Sequence, residues 1–265
     1  MSERKAILVT GSSHGIGAAT VIAFAKDGYD VGVNYNKTPE GAQSVAEECR
    51  RYGVDAQIYQ CDVGRRDQCE RMLNAFINHF GRIDVLVNNA GGALKMPKGG
   101  FVDMPMDYWD EQIALNLNSA AYCSQLAARC MIEKGIHGSI INISSIHSLV
   151  TWVKRKALPY SAGKAGMNMF TKSIGVELIK YGINVNCIAP GLVYTKIMDR
   201  YSERDIRGFE RKIPAGRGGT VDDIVPMIQF LADKKKSSFI VGQTIFIDGG
   251  QSIDGVIDCM LEDEI

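Results

Sequence analysis

The stretch AILVTGSSHGIG, Ala6 to Gly17, decides the fold. A mostly apolar run, Ala6–Thr10, ends in a glycine cluster that opens into a segment with apolar residues at Ile16, Ala19, Ala23 and Phe24. That spacing lays one apolar stripe along a helix, whereas the preceding run has the length and continuity of a strand buried on both faces. Glycines at such a turn let the chain reverse tightly, bring backbone N–H groups against an anion, and let helix and strand pack closely. The spacing is G-x-x-x-G-x-G rather than the commoner G-x-G-x-x-G. Gly11, Ser13, His14, Gly15, Ile16 and Gly17 are therefore candidates to cradle a dinucleotide pyrophosphate.

The same alternation continues outward from this unit. Strands are expected at Ala6–Thr10, Asp30–Tyr35, Asp55–Gln60, Asp84–Asn88, Ser139–Ile143, Asn184–Ala189 and Thr244–Ile247. Helices are expected over Ile16–Asp27, Glu40–Tyr52, Arg66–Phe80, Tyr160–Lys180 and Val221–Asp233. Tyr108–Lys134 reads as one helix with a break or as two abutting ones. Alternating apolar strands and amphipathic helices give a parallel sheet covered on both faces. Right-handed crossovers then predict an α/β, doubly wound, Rossmann-type fold with seven parallel strands and its ligand at their carboxyl ends. No repeat, linker or low-complexity tract interrupts residues 1–265, so a single domain is expected. Leu192–Gly219, rich in charge and glycine, reads as a substrate lid, and 251–265 as a tail with an acidic end.

Composition excludes several classes. Thirty basic and 30 acidic residues cancel, leaving no global field for nucleic acid or an anionic membrane. No signal peptide and no membrane-spanning apolar run is evident, so the expected location is the cytoplasm. The 7 cysteines are scattered without a Cys-x-x-Cys pair, and no histidines stand at ligand spacing, so no metal site is expected.

Folds of this type often carry an acid at the end of the second strand to bind a ribose 2′-hydroxyl. Here that place reads Asn34, Tyr35, Asn36, Lys37. Without a carboxylate to repel it, a 2′-phosphate could meet Lys37 and His14. NADP(H) is therefore favoured over NAD(H), with dual use as the alternative.

Tyr160 and Lys164 stand i, i+4 in PYSAGK and so share one helix face. An ammonium beside a phenol favours phenolate, which a tyrosine needs to act as a base near neutral pH. Upstream, Ser144 and Ser145 close a strand and offer hydroxyl donors at the carboxyl edge of the sheet.

With these residues the chain resembles the short-chain dehydrogenase/reductase family. The resemblance spans residues 5 to 250 and runs in family order. It rests on Thr10–Gly17, Cys61-Asp62-Val63, Asn88-Asn89-Ala90-Gly91, Asn116 within ALNLN, Ser145, Tyr160 with Lys164, and Pro190–Thr195. It implies an oxidoreductase that moves a hydride between a nicotinamide dinucleotide and a secondary alcohol or ketone. In that reading Tyr160 is the general acid/base, Ser145 polarises the substrate oxygen, and Ser144 is its rival. Lys164 binds the nicotinamide ribose and lowers the Tyr160 pKa, and Asn116 anchors a water of the proton relay. Asp62 is expected at the adenine amine with Val63 beside the ring, and Asn89, Ala90 and Gly91 near the adenosine ribose. Pro190, Gly191, Val193 and Thr195 are expected to hold the nicotinamide end.

The Ser145–Tyr160 interval is longer than is usual in the family. Its extra length falls in Thr151–Lys156, where Trp152 is a candidate substrate wall and Lys154, Arg155 and Lys156 are either an anion handle or, preferentially, solvated surface. His147 is a second candidate for the substrate pocket, or else part of the turn after the strand. Lys234–Lys236 are expected to follow a helix end, where cations suit the dipole. The substrate pattern is most similar to the sugar-alcohol dehydrogenases and 3-oxoacyl-thioester reductases, with hydroxysteroid dehydrogenases as the alternative. A non-catalytic dinucleotide sensor is the competing class. Small and apolar residues on more than one face of Ser119–Met131 and Tyr160–Glu177 point to a homo-oligomer, expected to be a homotetramer.

Overall fold

The computed structural model of the chain describes residues 4–94, 100–151 and 158–253. Its centre is a seven-stranded parallel sheet in the order β3-β2-β1-β4-β5-β6-β7. The strands are β1 (Ala6–Val9), β2 (Asp30–Tyr35), β3 (Ala56–Gln60), β4 (Val85–Asn88), β5 (Ser139–Ile143), β6 (Asn184–Pro190) and β7 (Thr244–Ile247). Each expected strand is present within a residue or so of its expected ends. The chain order reverses at β1, which pairs with β2 on one side and β4 on the other. A doubly wound sheet opens a crevice at such a point, at the carboxyl ends of its strands.

Side-chain alternation in β1 builds both halves of the core. Ile7 and Val9 belong to a cluster with Val21 and Phe24 of α1 (Gly15–Lys26), Ala42 and Ala46 of α2 (Glu40–Arg50), and Ile224 and Ile228 of α8 (Val221–Ala232). Ala6 and Leu8 face the opposite layer, with Leu73 and Phe76 of α3 (Arg66–Phe80) and Ala127 and Met131 of α5 (Ser119–Glu133). Ile7, Leu8 and Val9 are all 0% exposed, which explains why β1 reads as a continuous apolar run instead of an alternating one. At about 25 cal/mol per Å² of apolar area removed from water, burial on both faces is the main stabilising term of such a layer.

The long helical stretch is broken in a specific way. α4 (Met106–Ile113) passes into a five-residue π-helical turn, Ala114–Asn118, before α5 begins. The last large helix, α6 (Leu158–Leu178), ends in a short 3-10 turn and Gly182. The expected lid contains a helix that apolar periodicity did not reveal, α7 (Glu203–Glu210), started by a capping box in which the Ser202 and Asp205 side chains each bond the other residue's backbone N–H. Lys234–Lys236 do not simply trail a helix end. They form a short helix of their own, α9 (Lys234–Ser237), and half-buried Lys234 donates to the carbonyl of Gly182 and to Asn184 of β6. Among the described residues no helix is long and apolar enough to cross a membrane, and no group of His, Cys, Asp or Glu could hold a metal. The six described cysteines are free and buried.

Candidate active site

The glycine turn lies where β1 meets α1, on the crevice. Gly11 has φ +62°, and a Cβ there would lie 2.9 Å from the Cα of Ala90. A Cβ at Gly17 would lie 2.6 Å from both Asn89 Nδ2 and the carbonyl oxygen of Gly11. Both positions thus exclude a side chain, one by backbone conformation and one by close approach. Three polar side chains set the turn. Thr10 Oγ1 accepts from the backbone N–H groups of Asn89 and Ala90, each at 3.0 Å. Asn89 Nδ2 donates back to the carbonyls of Thr10 and Gly11. Buried Asn34, at the end of β2, accepts from Gly11 N–H at 2.8 Å and donates to the carbonyls of Tyr59 and Cys61. Asn34 was not among the residues expected to act here. Its signal was an amide inside the otherwise apolar strand DVGVNY.

The start of α1 suits an anion. His14 is its N-cap residue, makes no side-chain cap bond, and is followed by no acid in the first turn. The leading N–H groups of a twelve-residue helix therefore meet no capping side chain, and the helix dipole favours negative charge there. Ser13 Oγ lies 3.1 Å from His14 Nδ1, and Ile16 is half-buried behind the turn. Across the crevice, the Thr195 methyl lies 3.4 Å from the point a Cβ on Gly15 would occupy. Pro190 is buried at the end of β6, Gly191 donates its N–H to the Ile247 carbonyl, and buried Val193 bridges to Gly219. Asp62 Oδ1 accepts from Gly64 N–H at 3.0 Å, and Val63 is buried in the core beside it. Asn36 and Lys37 are exposed beyond β2. These features fit a pyrophosphate over the α1 N-terminus, with the rest of a dinucleotide extended along the strand ends.

The second cluster gathers on β5, α6 and the π-turn. β5 ends at Ile143, and Lys164 Nζ donates to the Ile143 carbonyl at 2.7 Å. Lys164 is 2% exposed, and burial pulls its ammonium down to about 8. Its Nζ stands 5.9 Å from the centroid of the half-buried Tyr160 ring. Burial pushes the Tyr160 phenol up, and a hydrogen bond with the Ser145 side chain pulls it partly back. The two serines differ. Ser144 Oγ donates to the Lys164 carbonyl at 3.0 Å and so fastens β5 to α6. Ser145 Oγ faces Tyr160 and accepts from His147 N–H at 3.2 Å. The His147 ring packs edge-on to Tyr160 with centroids 5.9 Å apart, and burial lowers its pKa.

Asn116 sits inside the π-turn and is 0% exposed. Its Oδ1 accepts from Gly92 N–H at 2.9 Å, and its Nδ2 donates to the carbonyl oxygens of Gly92 and Gln112. The side chain thereby fixes the loop after β4. A Cβ on Gly91 would lie 2.9 Å from both Asn116 Oδ1 and Lys164 Nζ, so both atoms flank the same point on that loop. The candidate wall Trp152 and the cations Lys154, Arg155 and Lys156 lie outside the described residues, as does the tail beyond Ile253. A cavity of about 730 Å³ lies at the opposite, amino end of the sheet, lined by Lys5, Arg82, Asp84, Lys134 and Lys234 among others. Helix carboxyl termini converge at that end and attract cations there without any ligand.

Comparison with known proteins names this arrangement. Residues 11–252 match the family model described as enoyl-(acyl carrier protein) reductase. A solved short-chain type dehydrogenase/reductase from Mycobacterium marinum superposes with a TM-score of 0.86 at 31% identity, covering 94% of this chain and 96% of that one. The chain belongs to the short-chain dehydrogenase/reductase family. It is 37% identical over 250 residues to the 3-oxoacyl-[acyl-carrier-protein] reductase FabG of Staphylococcus aureus, across 94% of this chain and 99% of that protein. It is also similar to acetoin dehydrogenase YohF from Salmonella typhimurium, with a TM-score of 0.84 and 33% identity over 95% of this chain and 99% of that one. As a short-chain dehydrogenase/reductase, the protein is an oxidoreductase of a family that binds a nicotinamide dinucleotide.

Proposed function

We propose that the protein interconverts a ketone and its secondary alcohol, with Tyr160 as the proton donor in reduction and the proton acceptor in oxidation. The observation that carries this reading is the convergence of three polar side chains: the Ser145 hydroxyl lowers the Tyr160 phenol, and the Lys164 ammonium stands 5.9 Å from the centroid of its ring. When bound, a nicotinamide dinucleotide supplies or takes the hydride.

Ser145, held by the His147 backbone, aims its hydroxyl at the oxygen that Tyr160 protonates. As the carbonyl becomes an alcohol, the Tyr160 proton moves to that oxygen and leaves a phenolate, which the nearby Lys164 charge stabilises. Gly11, Ser13, His14, Gly15, Ile16 and Gly17 would hold the pyrophosphate. Asp62, Val63, Asn89, Ala90 and Gly91 would hold the adenosine, and Lys164, Pro190, Gly191, Val193 and Thr195 the nicotinamide end. Exposed Asn36 and Lys37, with no acid beside them at the end of β2, favour NADP(H).

The proposed substrate is a ketone with a second oxygen one or two carbons from the reacting carbon. Two relatives carry names with this chemistry, acetoin dehydrogenase, with the second oxygen on the adjacent carbon, and 3-oxoacyl-[acyl-carrier-protein] reductase, with it one carbon farther along. His147, edge-on to Tyr160, is the side chain proposed to face that second oxygen. The test is a panel of 2,3-butanedione, an acetoacetyl thioester, a ketose and a steroid ketone, followed by loss of reduced-nicotinamide absorbance. Turnover of the first two above the others is expected. Turnover of the steroid ketone alone overturns the substrate class, and turnover of none overturns the catalytic reading.

A further inference from the structure

Helical spacing places Asn168 on the face of α6 that carries Tyr160 and Lys164, one turn beyond the lysine. Its side chain is half-buried and reaches two neighbouring elements. Asn168 Nδ2 donates to Ser148 Oγ at 2.8 Å, and Asn168 Oδ1 lies 3.7 Å from the Sγ of Cys187 on β6. Asparagine is among the poorer helix formers, so local propensity does not call for it inside a helix of 21 residues. Its meaning lies in the contact with Ser148.

Ser148 ends the short 3-10 turn Ile146–Ser148, which Ser145 starts. Its backbone N–H donates to the Ser145 carbonyl at 3.0 Å, and its hydroxyl donates to the same carbonyl at 2.7 Å. The N–H alone closes the turn, so the hydroxyl is a second tie on that carbonyl. A hydroxyl has one hydrogen and two lone pairs. The Asn168 amide donates into a lone pair, and the hydrogen is left to Ser145. Within the turn Ile146 is the one buried residue, and Leu149 beyond it is 63% exposed, so apolar packing anchors the turn at a single point. The relay from Asn168 through Ser148 to Ser145 fastens it at a second point, to the helix that carries Tyr160.

We propose that Asn168 is a positioning residue of the reaction: through Ser148 it fixes the backbone of Ser145 relative to Tyr160, so that both hydroxyls meet one substrate oxygen. The inference rests on the roles proposed above for Tyr160 and Ser145. Those two residues come from different elements, one from the end of β5 and one from α6, and the relay joins the two directly. A donor aimed at a developing charge works only within hydrogen-bond reach of it, and a misplacement of about 1 Å can cost about 10²-fold in rate.

The test uses Asn168→Leu, Ser148→Ala, the two combined, and Ser148→Ala in a Ser145→Ala background, with the panel ketone of highest kcat/KM. Each single variant should lower kcat about tenfold and leave the dinucleotide Kd within about twofold. The combined variant should be no slower than the slower single, because one relay is broken only once. In the Ser145→Ala background the hydroxyl being placed is gone, so Ser148→Ala should change kcat by less than about twofold. Ser148→Thr keeps the hydroxyl and should retain at least about half of the wild-type kcat. A general loosening of the fold would instead lower kcat by the same factor in both backgrounds, and that result overturns the inference. So do losses that multiply in the combined variant, which would make the two side chains independent. If both single variants keep kcat within about twofold while Tyr160→Phe is inactive, the inference fails and the Tyr160 reading stands. If Tyr160→Phe remains active, both fail.

Discussion

Lys164 Nζ donates to the carbonyl of Ile143 at 2.7 Å, so a buried ammonium on α6 is fastened to the last residue of β5. Burial holds that ammonium at about 8, below lysine's ordinary 10.5. Between these values the unfolded chain keeps its proton and the folded chain has lost it. The Lys164 contribution to stability therefore rises with pH across that window, and below it the folded chain carries the full penalty of a buried charge. Lys164→Met removes this dependence. The melting temperature of the variant minus that of wild type, without dinucleotide, should fall as pH goes from 7 to 10. A flat difference would show that Lys164 is not desolvated.

The two serines after β5 should separate cleanly. Ser145→Ala removes the hydroxyl bonded to Tyr160 and should lower kcat by about 10²-fold, in the range of a lost donor at a developing charge. Ser144→Ala removes the tie to the Lys164 carbonyl and should cost about 1 kcal/mol of stability with a much smaller loss of kcat. Urea denaturation alongside steady-state kinetics reads both effects. The reverse ranking assigns the hydroxyl role to Ser144.

How far the sequence reached depended on what kind of force sets each feature. Burial on both faces of the sheet made β1 and β5 legible, because continuous apolarity and strand length report it directly. Tyr160 and Lys164 were legible because their spacing puts both on one helix face. α7 was not, because it buries no residue among those described, and only its Ser202–Asp205 capping pair marks it. The break in the helix after Tyr108 was expected, but not that it is a π-turn centred on Asn116, which depends on the clamp by Gly92 and α6. Asn34 and Asn168 escaped because polar residues in apolar elements acquire meaning only from partners distant in sequence. The burial that raises the Tyr160 phenol is likewise set by packing across elements, which the spacing to Lys164 does not report.

Cofactor choice turns on the exposed end of β2. An Asn36→Asp change would set a carboxylate where a 2′-phosphate is expected, and a like charge within a few ångströms costs on the order of 1–4 kcal/mol. The ratio of kcat/KM for NADPH to that for NADH should fall about tenfold to a hundredfold. Lys37→Ala should move it the same way by less, because an exposed ion pair contributes about 0–1 kcal/mol. Wild-type preference for NADH contradicts the proposed selectivity.

Met169 and Val176 on α6 are 61% and 76% exposed, leaving an apolar outer face on a helix whose inner face already packs on the sheet. Covering that face is the expected role of a second copy, and a homotetramer is the expected assembly. Light scattering at micromolar concentration should give a mass several times the 29.0 kDa of one chain. Val176→Glu should reduce it. A wild-type monomer rejects the assembly.

Tyr160 carries the catalytic proposal, and one comparison tests it. Tyr160→Phe deletes the hydroxyl bonded to Ser145 and keeps the ring that packs against His147. Single-turnover reduction of the best panel ketone, paired with dinucleotide titration by fluorescence, separates chemistry from binding. The rate should fall by about 10²–10⁴-fold while dinucleotide affinity changes by less than about twofold. A variant that keeps more than about a tenth of the wild-type rate contradicts Tyr160 as the acid/base.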